Sequence, residues 1–209
     1  MLHRIINTKE STIYVWHITE TAAELATLLT PFKHLAIKDM DHTMALKLWH
    51  NTHFLSTRIL MFRYAGLTSA ILKNEYGQPT SFEKKISITH SNHYTAIIVS
   101  KNFSVAIDLE KIDNRILRVA HKFVHEREMF FQEAENAIYT TLIWSAKETL
   151  YKLFSANEVI FKEELRIQPF EYDREGCFIG DIFKHPKILG VKIHYLTFDN
   201  YVLTFCEQE

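Results

Sequence analysis

Cysteine is nearly absent: only Cys177 and Cys206 occur in 209 residues. They stand far apart and without metal-ligand spacing, which excludes a disulfide framework and a cysteine zinc set and leaves two buried thiols as the expectation. An excess of one charge is missing too. The 24 Lys and Arg against 25 Asp and Glu leave a net charge of −1, too even for a chain that grips nucleic acid by neutralising many phosphates. Long apolar runs are also lacking, and stretches such as Ala96–Val99 fall far short of a bilayer span. The first ten residues hold neither the apolar core nor the small-residue cleavage site of a secretory signal. The expectation is a cytoplasmic protein with no membrane and no nucleic-acid partner. No repeat links the two halves, and the length suits one large domain or two small ones.

Periodicity supplies the elements. Thr12–Ile18 reads as a strand, and Thr21-Ala22-Ala23-Glu24 as a capping box opening a short helix that runs to Pro31. A longer helix is expected from Met44 to Tyr64, with Leu48, Thr52, Leu55, Ile59 and Phe62 on one stripe and Gly66 beyond its end. Gly77-Gln78-Pro79 is a turn. Lys85–Thr89 and Tyr94–Ser100 read as strands, and Lys101-Asn102 as a tight link making a hairpin of Tyr94–Ser100 and the strand that follows. Asn114–Glu135 is expected to be helical in part. Glu164–Phe170, Cys177–Phe183, Val191–Phe198 and Tyr201–Phe205 read as strands, with Asp199-Asn200 a two-residue turn. The sum is an α+β chain.

The chemistry concentrates in two pieces. In Phe103–Asp113, Phe103, Val105, Ile107 and Leu109 alternate with Ser104, Ala106, Asp108 and Glu110, the pattern of a half-buried strand. Asp108 and Glu110 then share a face about 7 Å apart, where two carboxylates repel and favour a cation or a proton. Trp144–Phe154 is rich in helix formers and places Glu148 and Lys152 four residues apart on one face. Each pattern alone is ordinarily solvated surface. A third carboxylate, Glu148, meeting Asp108 and Glu110 would make an oxygen-only site suited to Mg²⁺, with Lys152 one turn along to hold a phosphate. The pairs His50/His53, His90/His93 and His121/His125 lack the further ligands of a zinc set and, His90 apart, read as surface or half-buried imidazoles.

Ala106-Ile107-Asp108-Leu109-Glu110, with Trp144-Ser145-Ala146-Lys147-Glu148 and Lys152, resembles the signature of the 4′-phosphopantetheinyl transferase superfamily: G-x-D-x-E, then W-S-x-K-E-x-x-x-K. Ala106 stands where Gly is usual and Thr149 where Ala or Ser is usual. The first change matters only if that backbone needs positive φ or very close approach.

The resemblance implies two similar α/β lobes in one chain, 1–102 contributing to coenzyme A binding and 103–209 carrying the metal site, with the donor in the cleft between them. It implies Mg²⁺ held by Asp108, Glu110 and Glu148, with Asp108, Lys147 and Lys152 among the donor contacts. Phe54–Leu60 matches F-L-S-x-R-x-L and places Arg58 at the 3′-phosphate, with Lys47 a weaker candidate on the same helix. Gln78 and Pro79 occupy a loop beside the adenine and phosphates where Gly-Lys-Pro is usual; Lys73 or Lys84 would have to replace the missing charge. Ile86–Ser91 matches the motif in which Thr89 and His90 clasp the diphosphate. Phe123–Glu128 places Glu128 as the base for the serine proton or as a metal neighbour, a metal-bound water being the alternative base. Apolar residues among Ile112, Leu117, Val119, Met129, Phe130 and Phe131 are expected to include a patch for the carrier helix. The implied reaction moves 4′-phosphopantetheine from coenzyme A to a serine of an apo acyl or peptidyl carrier protein, releasing 3′,5′-ADP, and the implied enzyme is a monomer. Two other classes remain: an Mg²⁺-dependent phosphohydrolase, and a catalytically weak or inactive relative that binds carriers or nucleotides.

Overall fold

The computed structural model describes residues 1–38, 40–130, 136–154, 159–184 and 187–209. The chain divides into two compact units, Met1–Val105 and Ala106–Gln208. Each combines helices with a sheet, so the α+β class holds. Among the described residues no helix is long and apolar enough to cross a membrane.

In the first unit, β1 (Leu2–Asn7) and β2 (Ser11–His17) pair antiparallel, with Ile6 opposite Ile13. The sequence reading missed β1, a mostly exposed edge strand with little alternation to betray it. Helix α1 (Ala22–Leu29) opens on the expected capping box: the Glu24 amide donates to Thr21 Oγ1 and the Thr21 amide to the Glu24 carboxylate. After α2 (Lys33–Ala36), the single helix expected from Met44 to Tyr64 is instead two. Helix α3 (His42–Leu48) ends at Trp49, and α4 (Thr52–Ile59) starts afresh and runs into a π-turn, Leu60–Tyr64. Asn51 causes the break: its side chain accepts from the Phe54 amide and caps α4, and asparagine competes with helix in this way. Lys47 and Arg58 therefore lie on different helices. A small hairpin of β3 (Leu72–Lys73) and β4 (Pro79–Thr80) precedes β5 (Lys85–Ser91) and β6 (Tyr94–Ser100). The sheet order is β1-β2-β6-β5. All seven residues of β6 are buried, and Ile97 and Val99 pack with Leu25, Leu29, Leu55 and Ile59.

The second unit begins on β7 (Ser104–Lys111). Strand β6 does not form the expected hairpin with it, because Ser100 is already paired with Ser11 on one side and Lys85 on the other. Both edges of β6 are taken, and β7 joins a different sheet. Between Asn114 and Glu128 the chain is helical in part, as expected, in three 3₁₀ turns, Asn114–Arg118, Ala120–Lys122 and Glu126–Glu128. Residues 131–135, Phe131 among them, lie outside the described residues. Helix α5 (Asn136–Phe154) and the short α6 (Phe161–Glu164) lead to β8 (Leu165–Ile167), β9 (Glu175–Lys184), β10 (Lys187–Phe198) and β11 (Tyr201–Gln208), in sheet order β7-β11-β10-β9-β8. Asp199 and Asn200 turn the last hairpin at φ 47° and 65°, the geometry of a two-residue type I′ turn.

Helix α5 is the element that matters for chemistry, and the sheet holds it in register. Leu142, Ile143, Ala146 and Leu150 share a core with Ala106, Val202 and Cys206. A buried polar seam runs beside them, in which Ser145 and Thr149 meet the Thr204 hydroxyl at 2.9 and 2.7 Å. Thr149, unusual by the signature, thus has its hydroxyl satisfied. Gly180 lets the helix sit close: a Cβ there would come within 2.8 Å of Leu150 Cδ1. Ala106 needs no glycine freedom, lying in regular strand with φ outside the positive range. Strand β7 is buried on both faces from Val105 to Leu109, rather than half-buried. Of the two thiols only Cys206 is buried, and burial pushes it up to about 12; Cys177 is exposed.

Candidate functional site

Strand alternation sends Ala106, Asp108 and Glu110 to one face of β7, and α5 meets that face with residues spaced three and four apart. Asp108 Oδ1 accepts from Lys152 Nζ at 2.7 Å, and the same ammonium donates to the Ile107 carbonyl at 3.0 Å. One step along the strand, Glu110 Oε1 accepts from the Trp144 indole at 3.0 Å. The side chain of Asp108 is 5 % exposed and that of Lys152 25 %. Their contact is therefore a largely desolvated ion pair rather than a surface pair.

Glu148 lies between these two contacts in sequence, one helical turn from each. Its carboxyl is pushed up to about 7, first by burial, then by the negative charge of Asp108, with Glu110 adding to the push and Lys152 opposing it. The residue feels both carboxylates of β7, as an acidic trio should. Among the described residues no group of three or more His, Cys, Asp or Glu is drawn together tightly enough to hold a metal ion. Asp108 leans on Lys152 and Glu110 on Trp144. The donor set itself is of the right kind for Mg²⁺: oxygen only, part-buried, with a carboxyl whose negative form is disfavoured until positive charge arrives.

Glu128 and Lys147, expected as base and donor contact, are both 0 % exposed and paired with each other at 2.7 Å. Glu128 Oε2 also accepts from the His125 amide, and Oε1 from the Ile167 amide. Lys147 donates further to the carbonyls of Phe123 and Phe161, at 2.6 and 3.1 Å. Burial still pulls the Lys147 ammonium below its ordinary value, although Glu128 beside it acts the other way. Both side chains are thus engaged with each other and with backbone groups. Lys147 occupies the side of α5 opposite to solvent, and its motif position alone could not reveal this.

The residues expected in the first unit fall into three places. Arg58 on α4 is largely buried and its pKa is lowered to about 10 by desolvation. Its guanidinium lies 4.9 Å from the Phe54 ring, Nη1 contacts Met61 Sδ, and Nε is buried without a hydrogen-bond partner. His90 is exposed and stacks on His53 of α4 with ring centroids 4.5 Å apart. Burial, then the neighbouring His90 and His93, lower the His53 pKa. Strand β5 runs through to Ser91, so Thr89 leaves on the opposite face from His90 and its side chain is buried. In the turn, Gln78 accepts from Asn74 Nδ2 at 3.0 Å while its own amide donates to Asn74 Oδ1. Pro79 begins β4, and Lys84 is occupied by the Ala65 carbonyl at 2.7 Å. His53 was missed as a partner of His90, since the two are distant in sequence and only the sheet and helix bring them together.

Residues 104–206 match the family described as the 4′-phosphopantetheinyl transferase superfamily. A protein named 4′-phosphopantetheinyl transferase gsp, from Aneurinibacillus migulanus, is 33% identical over 85 residues, which cover 38% of this chain and 35% of that one. The chain thus spans about a third of that relative's length.

Two outcomes are expected from this geometry. Lys147→Met should lower the unfolding free energy by about 3–5 kcal/mol, because it strands the Glu128 charge in the interior. The double change with Glu128→Met should recover a large part of that loss in urea titrations. In chelator, Glu148 should contribute a fall of several degrees in melting temperature as the pH rises from 4.5 to about 7. A Glu148 pKa raised on folding means the native state holds its proton more tightly, so stability is full below that window and declines through it. Glu148→Gln should flatten the decline.

Proposed function

We propose, on the premise that this chain belongs through residues 104–206 to the 4′-phosphopantetheinyl transferase superfamily, that it transfers 4′-phosphopantetheine from coenzyme A to a serine hydroxyl of an apo acyl or peptidyl carrier protein. The observation that carries the reading is the pairing of β7 with α5. Asp108 meets Lys152, Glu110 meets Trp144, and Glu148 feels both acids.

In this reading Asp108, Glu110 and Glu148 hold Mg²⁺. When bound, the ion supplies Lewis acidity to the diphosphate oxygens of the donor. Lys152 gives up part of its hold on Asp108 and offers its ammonium to the phosphoryl group as negative charge builds there. The serine oxygen forms a bond to the β-phosphorus, and the bond from that phosphorus to the bridging oxygen breaks, releasing 3′,5′-ADP. The serine proton passes to a carboxylate of this acidic set, since Glu128 is enclosed. Arg58 is a desolvated guanidinium lacking a carboxylate among the described residues, and an anionic partner such as the 3′-phosphate would restore what burial removes. His90 adds a donor for the diphosphate, oriented by its stack on His53. Gln78 brings no charge to its loop, and its side chain is engaged by Asn74.

Asp108→Ala and Glu148→Ala should each abolish Mg²⁺-dependent labelling of an apo carrier by a fluorescent coenzyme A analogue, with the fold intact by circular dichroism. Full labelling by either variant would overturn the reading, and 3′,5′-ADP release without any carrier would point to hydrolysis instead. Arg58→Ala should raise KM for coenzyme A about tenfold or more and lose discrimination against the donor lacking its 3′-phosphate. A fall in kcat alone would place the arginine elsewhere.

A further inference from the structure

Three strand ends of the first unit meet at one place. The register sets Ser100 between Ser11 and Lys85, so the next residues outward are the β1–β2 turn, Lys84 before β5 and Lys101 after β6. Together they surround a cavity of about 300 Å³, at the small end of the range for ligand pockets. Its floor is apolar. Val99 of β6 is 5 % exposed, and Tyr14 of β2 shares its face of the sheet, because Thr12, two residues before Tyr14, stands opposite Val99. The wall is braced by hydroxyls: Thr8 Oγ1 accepts from the Glu10 and Ser11 amides at 3.3 and 2.8 Å, and Ser100 Oγ donates to the Glu10 carbonyl at 2.7 Å. The turn is therefore shaped before any ligand arrives.

The charge around this cavity is mostly of one sign. Lys84 Nζ donates to the Ala65 carbonyl at 2.7 Å, which fixes the ammonium and leaves it two further protons to offer. Lys101 is exposed, and neither lysine meets a carboxylate among the described residues. The acid in the lining, Glu10, is taken by Lys9 at 3.7 Å. The Tyr14 hydroxyl has no partner among the described residues, and burial raises the phenol above its usual value, so it keeps a proton to donate. Cationic and phenolic donors gathered over an apolar floor suit an oxyanion carried on an apolar body. We propose that this cavity binds a small organic oxyanion, a phosphate or carboxylate on an apolar ring or short chain, held by Lys84, Lys101 and the Tyr14 hydroxyl with its body against Val99. Nothing in this site depends on the transferase reading above.

The test uses the full chain with ¹³C-labelled valine methyls, titrated with phenyl phosphate and followed by NMR. The Val99 methyl signals should shift saturably at millimolar or lower probe concentrations. Phenylacetate is the carboxylate arm; binding by either probe supports the site, and the tighter of the two names its oxyanion. Lys84→Gln should weaken phenyl phosphate about tenfold or more, and the exposed Lys101→Gln about two- to fivefold. Tyr14→Phe keeps the ring, removes the donor and should weaken it about fivefold. Should Lys84→Gln fail to fold for want of the Ala65 contact, the Lys101→Gln, Tyr14→Phe double variant decides alone. No saturable shift of Val99 with either probe would overturn the site. So would equal binding by wild type and the double variant, or neutral phenol shifting Val99 as strongly as phenyl phosphate.

Discussion

The aspartate of a buried strand reaches the lysine of a packed helix at 2.7 Å, and little water reaches either one. Such a contact forms only if both elements arrive already aligned, because moving either charge out of water alone is unfavourable by several kcal/mol. Alignment comes from the neutral contacts around it. Thr204 clasps Ser145 and Thr149 from β11, and Leu150 settles against the bare backbone of Gly180. Hydrophobic burial brings the helix down, and the polar seam stops it from sliding or rotating. The ionic chemistry is then placed at the end of a register that uncharged groups have set.

A second buried pair does different work. Glu128 and Lys147 tie a 3₁₀ turn, the end of β8, and the backbones of Phe123 and Phe161 to the middle of α5. A segment of short 3₁₀ turns has few internal hydrogen bonds to hold its shape. Four charge-assisted bonds from one ion pair supply what local structure does not. Adjacent residues of one motif, Lys147 and Glu148, therefore serve opposite ends: one is sealed in as a fastening, the other faces the acids of β7. In the first unit Arg58 is kept poorly solvated and His90 stacks on His53.

Much of this was open to inspection before any coordinates. The capping box at Thr21, the turn at Asp199-Asn200, the shared face of Asp108 and Glu110, and the turn-spacing of Glu148 and Lys152 all follow from periods of two and near four, which short stretches of chain obey wherever they are placed. The errors have a common source. The break at Asn51 and the lost hairpin after β6 each depend on competition: a side-chain cap against a helix bond, and a strand edge already occupied.

The sequence by itself determined which side chains carry acid, base and positive charge, and which of them share a face of one strand or one helix, because those relations are properties of local geometry. Only the tertiary structure decided who meets whom. It gave Asp108 to Lys152, Glu110 to Trp144 and Glu128 to Lys147, since partners remote along the chain are chosen by which charges the packed interior can desolvate together, and no spacing rule contains that information.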